Sequence, residues 1–135
     1  MKNQVKLFEQ QKVRTHWDEE KEQWYFSIID VIQILSGSNN PRRYWSELKR
    51  KLQQEGFIQL YEIIVQLKLE SSDGKKYTTD CTDTKNLLRI IQSVPSPNAE
   101  PFKVWLSKVG YERIQEIAEP EQSLVRAREN CQKLD

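Results

Sequence analysis

The stretch Asn40-Pro41-Arg42-Arg43-Tyr44-Trp45-Ser46-Glu47-Leu48-Lys49-Arg50-Lys51-Leu52 constrains the fold more than any other. Asn40 suits an N-cap, because its side-chain oxygen can accept from a free backbone N–H of the first turn. Pro41 suits the first helical position, where its missing N–H costs nothing, and Gly56 is a natural stop. On a wheel of 100° per residue from Arg42, the residues Tyr44, Trp45, Leu48 and Leu52 fall between roughly 200° and 300°. Arg42, Arg43, Lys49 and Arg50 fall on the other side, between roughly 340° and 100°. One face must therefore pack while the other presents four cations to solvent. Residues 41–56 hold five basic and two acidic side chains, a net +3, in a chain whose formal charge is only +1. This is the geometry of a helix laid against a phosphate backbone or into a major groove. A solvated basic face without a ligand is the bland alternative.

A chain of 135 residues fits one domain, or one domain with a short appendage. Four Trp, five Tyr and four Phe supply the bulk for a real core, and 30% charged residues supply a well-solvated surface. No apolar run approaches the ~20 residues that span a bilayer, and the N-terminal residues lack an apolar signal core. Cys81 and Cys131 show no paired spacing, which points to reduced thiols and a cytoplasmic protein.

Along the chain, Val5 to Phe8 reads as a short strand. Val13, Thr15 and Trp17 alternate, as do Trp24, Phe26 and Ile28, around a charged turn at 18–22, so 11–28 is read as a hairpin. Ser27 is a candidate cap for a helix from Ile28 to Leu35, followed by a loop at 36–40 and then the basic helix. Phe57 to Ile64 is ambiguous between helix and strand. Val65, Leu67 and Leu69 alternate, Asp73-Gly74 turns, and Tyr77 and Thr79 resume the alternation, giving a second hairpin. A helix starts at Thr82 or Asp83 and runs to about Val94, with Leu87, Leu88, Ile91 and Val94 as its stripe, until Pro95 and Pro97 break it. A further helix spans about Asn98 to Ile117, with Phe102, Trp105, Leu106 and Val109 inward and Gly110 as an expected interruption. Two hairpins packed with about four helices, without regular βαβ alternation, imply an α+β fold. Trp45 and Trp105 are expected in the core rather than as platforms for bases.

The residues argue against catalysis. His16, the single histidine, sits on a strand beside Trp17, where packing is the ordinary role. Asp80 and Asp83 could hold a divalent ion, but a helix cap explains Asp83 better. There is no GxGxxG and no GxxxxGK[ST], so no nucleotide site can be argued, and neither a metal nor a cofactor is expected. The candidate DNA-binding set is Arg42, Arg43, Lys49, Arg50 and Lys51 on the helix, Lys75 and Lys76 at the tip of the second hairpin, and Arg89 on the following helix. Lys85, four residues before Arg89, flanks that set, while Lys103 and Lys108 lie off their stripe and are expected in solvent.

Several segments together resemble the Bro-N domain, the N-terminal module of baculovirus BRO proteins and of many phage antirepressor-like proteins. Within that group the chain looks most like the bacterial DNA-damage-inducible protein D type. The segments are Ser27 to Ile32, Asn40 to Leu52, Asp73 to Asp80, and Ser96-Pro-Asn-Ala-Glu-Pro-Phe-Lys-Val-Trp-Leu106 with Val109 to Ile114 behind it. They span roughly 5–119, and the last is the most specific, since its Pro, aromatic and Gly positions fall in order. The resemblance implies a compact α+β DNA-binding module over 1–119, usually followed by a variable second domain. It also implies work in phage or mobile-element regulation or in the damage response, with Arg42, Arg43, Lys49 and Arg50 matching the basic motif. The expected function is thus non-enzymatic: a regulator that binds double-stranded DNA through residues 42–51. The alternative is a module that binds a repressor or other regulator protein. Residues 120–135 are expected as a helical tail or the start of a linker, and Leu124, Ala127, Cys131 and Leu134 recur as in a coiled-coil seam, which would dock on the domain's own surface, on a second copy as a homodimer, or on a further domain.

Overall fold

The computed structural model describes the backbone at residues 2–57 and 59–118, and side chains at 3–57 and 59–109. The chain forms β1 (Lys2–Phe8), β2 (Gln11–Asp18) and β3 (Gln23–Ser27), then the helices α1 (Ile28–Ser36), α2 (Pro41–Gln54) and α3 (Leu60–Ile63). It continues as β4 (Val65–Glu70), β5 (Lys76–Asp83), α4 (Thr84–Ile91) and α5 (Ala99–Ala118). All five strands join one antiparallel sheet in the order β1-β2-β3-β5-β4. The two expected hairpins are thus halves of one sheet, and the fold is α+β.

The first hairpin gains an extra strand. β1 and β2 turn on Glu9 and Gln10, both at positive φ (48° and 70°). Such a two-residue turn usually carries Asn or Gly, so Glu-Gln gives no sequence signal for it. Alternation then sorts the faces. Phe8, Val13, Trp17, Trp24 and Phe26 are buried on one side, against α1, α2, α4 and α5. Tyr25, Leu69 and Cys81 make a smaller cluster on the other side, backed by Val65 and Leu67. Burial pushes the Cys81 thiol up to about 12, so it stays protonated and inert.

Arg14 ties this second side together. Its guanidinium takes both oxygens of Asp30 on α1 (2.9 and 3.0 Å), donates to Ser27 Oγ (3.3 Å) and reaches the Glu70 carbonyl at the end of β4 (3.3 Å). Ser27 occupies the N-cap position of α1 but makes no capping bond, because its hydroxyl serves Arg14 instead. α1 ends one residue later than expected, where Gly37 adopts φ 68° and its N–H bonds the Gln33 carbonyl at 2.9 Å.

Expectations for the later elements shift as well. The ambiguous stretch after Phe57 contains a single helical turn, α3, with Leu60 buried. α4 is capped by Asp83, which accepts from the Asn86 N–H (2.9 Å), and ends at Ile91. Its buried stripe is Leu87, Ile90 and Ile91, with Leu88 only half-buried. α5 runs on through Gly110 without a break. Phe102, Leu106 and Val109 are buried there as expected, but Trp105 is only half-buried and donates its indole N–H to the Leu7 carbonyl at 2.8 Å. It packs against the core through Phe8, Phe26 and Phe102, as expected, and also ties α5 to β1. Lys103 pairs with Glu100 (3.1 Å) with 29% of its side chain exposed, instead of standing free, while Lys108 is exposed. The tail 120–135, with its expected seam, lies outside the described residues.

Candidate nucleic-acid interface

α2 forms as its caps dictate. The Asn40 side chain accepts from the Arg43 N–H (3.2 Å), and Pro41 opens the helix. At the other end the chain leaves through Gly56 at φ 98°, with the Phe57 N–H bonded to the Leu52 carbonyl (2.9 Å). Trp45, Leu48 and Leu52 are buried and Tyr44 half-buried, so the packed face is the one the wheel assigns.

The cationic face is less uniform than the wheel implies. Arg42 and Arg50 are exposed and make no ion pair among the described residues. Arg43 lies 3.3 Å from Glu47 and Lys51 3.9 Å from Glu55, with all four side chains well exposed. Exposed pairs of this kind are worth ~0–1 kcal/mol, so a phosphate can displace the carboxylate. Lys49 is a correction. Its ammonium lies 3.4 Å from Asp80 on β5 and 5.4 Å from the centre of the Trp45 ring, with 23% of its side chain exposed. It borders the packed face, and the wheel cannot see that a carboxylate waits there on another strand.

Asp80 is the junction of this region. One oxygen accepts from Trp45 Nε1 (2.8 Å) and Lys49 Nζ (3.4 Å), the other from Gln66 Nε2 on β4 (3.2 Å). Burial raises the energy of the charged carboxylate, but the bonds from Trp45 and Gln66 and the charge of Lys49 outweigh it. The acid therefore stays below the usual carboxylate range. Asp80 and Asp83 project from opposite faces of β5, three residues apart, and each has its own structural bond. Among the described residues no group of three or more His, Cys, Asp or Glu could hold a metal ion. His16 lies 2.7 Å from the Asn3 side chain, and burial lowers its pKa below the ordinary value.

The junction joins α2 to β5 where Lys49 meets Asp80. Farther back along β5 lie Tyr77 and the β4–β5 turn. There Gly74 takes φ 83°, Asp73 accepts from the Lys75 N–H (2.9 Å), and the Tyr77 hydroxyl donates to Asp73 at 2.6 Å. That last bond holds Tyr77 above and Asp73 below their ordinary pKa values.

The strand register places Gln66, Lys68, Thr78, Lys76 and Asp80 on the sheet face that meets α2. Lys68 and Lys76 are exposed on it, and Lys75 is exposed at the turn. Lys68 is absent from the sequence-derived set, although the alternation of Val65, Leu67 and Leu69 already assigns it to the opposite side. The Asp80 junction thus joins α2 to the strand face that carries Lys68 and Lys76. Arg89 stands apart: its guanidinium lies 3.8 Å from the centre of the Phe57 ring, beyond the end of α2. Lys85 is exposed and lines a cavity of about 300 Å³ with Trp17, Glu22, Gln23, Trp24, Asp83 and Thr84. The antiparallel registers put that cavity at the opposite end of the sheet from the β4–β5 turn. The carboxylates of Glu22 and Asp83 make it a poor seat for phosphate.

Residues 12–112 match the family described as BRO family, N-terminal domain, so the chain belongs to that family. No curated protein and no solved structure matches the chain. No helix among the described residues is long and apolar enough to cross a membrane.

Proposed function

We propose that this BRO family N-terminal domain is a regulatory module that binds duplex DNA, with α2 as the main contact. The observation that carries the reading is the helix itself. Its apolar face is spent on the core, its solvent face offers Arg42 and Arg50 free and Arg43 and Lys51 in weak exposed pairs, and Asp80 joins it to the β4–β5 hairpin, whose Lys68 and Lys76 share the strand face of Asp80. Such a surface suits phosphates first, with one or two side chains left to read base edges. No catalytic chemistry is assigned to the chain. Roles in phage or mobile-element regulation, or in the damage response through the damage-inducible protein D type, belong to the same proposal, as does a cytoplasmic location.

The test is a titration with duplex DNA at several salt concentrations. Replacing both Arg42 and Arg50 by Glu is expected to weaken binding by at least about tenfold at ~0.1 M salt. It also flattens the slope of log affinity against log salt by about two. The fold survives, because both side chains face solvent. Unchanged binding by a folded double variant removes α2 from the interface.

A second reading, binding of a repressor or other regulator protein, is favoured by one observation: three of the five α2 cations already have a carboxylate partner. A weak response of wild-type binding to salt, with a protein ligand captured instead, supports that reading.

A further inference from the structure

We propose that Asp80 is a positioning residue, which fixes α2 against the β4–β5 hairpin so that the helix and the hairpin lysines meet a duplex as one surface. The inference rests on the DNA-binding reading and deepens it.

A carboxylate beside a DNA-binding face is a cost, since it repels phosphate. A neutral acceptor would satisfy the buried indole N–H of Trp45 equally well. What a carboxylate adds is capacity. Asp80 holds three donors at once, from two elements besides its own: Trp45 and Lys49 on α2 and Gln66 on β4. Its two oxygens are divided between them, one toward the helix and one toward the neighbouring strand. The side chain is 17% exposed, so these bonds are only lightly shared with water.

The geometry beyond Asp80 gives this junction its consequence. Arg42 lies on the same side of α2 as Trp45 and Lys49, three and seven residues before them. Lys68 and Lys76 share the face of the hairpin that carries Asp80. Both elements also pack on α1, with Trp45, Leu48 and Leu52 of the helix in the main core and Leu69 of the hairpin in the small cluster behind the sheet. Those three side chains anchor α2, and within that packing the Trp45–Asp80 bond fixes how the helix is turned toward the hairpin.

The test compares two variants of equal charge. Asp80→Asn keeps an acceptor for Trp45, while Asp80→Ala removes it, and both delete the same negative charge. Wild type and both variants are titrated with a mixed-sequence duplex of about 25 base pairs, from about 50 to about 200 mM salt. The melting temperature of each is measured alongside. Asp80→Ala is expected to bind at least about fivefold more weakly than Asp80→Asn. Its slope of log affinity against log salt is shallower by about one, because a turned helix loses phosphates. Lower stability alone reduces the folded fraction by a constant factor and leaves that slope unchanged. Trp45→Phe, which removes the donor and keeps an aromatic ring, repeats the measurement from the helix side, including in the case where Asp80→Ala does not fold, and is expected to flatten the slope equally. Equal affinity and slope for Asp80→Asn and Asp80→Ala, or an unchanged slope for folded Trp45→Phe, overturns the positioning role while DNA binding stands. A wild-type protein that does not bind the duplex overturns both.

Discussion

The two ends of the sheet carry hairpin turns built with the same local chemistry and put to different ends. In the β2–β3 turn, one oxygen of Asp18 accepts from the backbone N–H groups of Glu20 and Lys21 (3.0 and 3.1 Å). In the β4–β5 turn, one oxygen of Asp73 accepts from the Lys75 N–H in the same manner (2.9 Å). The first turn is acidic, with Asp18, Glu19, Glu20 and Glu22 against Lys21 alone. The second balances Asp73 and Glu70 with Lys75 and Lys76, has Lys68 behind them, and leads along β5 to Asp80 and so to α2. The lesson is that turn chemistry makes a hairpin but not a site. The β4–β5 end becomes a candidate interface because a strand side chain binds it to a cationic helix.

That contrast can be broken most forcefully at Trp45. Replacing it with Ala removes a buried indole and leaves Asp80 without its shortest bond. A loss of about 3–5 kcal/mol in denaturant unfolding is expected. A loss below about 1 kcal/mol would mean that the junction of α2 and β5 carries little of the fold.

Acid sharpens the same junction. Asp80 has a folded pKa below its unfolded value, so its contribution to stability is complete above the unfolded value of about 3.9 and disappears as pH falls through the folded one. The stability gap between wild type and Asp80→Asn is expected to be largest near neutrality and to close below about pH 4. A gap independent of pH, followed by chemical denaturation, would show that the charge of Asp80 is not what matters.

The smallest effect belongs to the other end. Changing Glu19 and Glu20 to Lys in the exposed β2–β3 turn is expected to move stability by no more than about 0.5 kcal/mol. It should not weaken DNA binding, and raises it slightly through the added positive charge. A marked loss of DNA binding, read by the same titration, would erase the distinction between the two ends.

Much of this was legible in the order of residues. The span of α2, its caps at Asn40 and Gly56, and the inward set Trp45, Leu48 and Leu52 follow from local rules, as does the turn at Asp73-Gly74. The resemblance to the Bro-N domain rested on ordered Pro, aromatic and Gly positions, and the family match over residues 12–112 agrees with it. Less legible were the β1–β2 turn, built on an atypical Glu-Gln pair, and the Trp105 indole, whose partner Leu7 lies at the other end of the chain.

The sequence by itself determined which face of α2 is apolar, where that helix begins and stops, and where the Asp73-Gly74 turn falls, because periodicity, capping and turn preference act over a few residues. Only the tertiary structure decided which cations remain free. Lys49 and Arg50 are neighbours with the same charge, yet one is bound to Asp80, 31 residues away in the chain, and the other stands in solvent. Arg14, unremarkable on its strand, joins β2 to α1 and β4 through Asp30 and the Glu70 carbonyl. Charge pairing and hydrogen bonding depend on distance in space, and the distance between two side chains on different elements exists only once the sheet has brought those elements together.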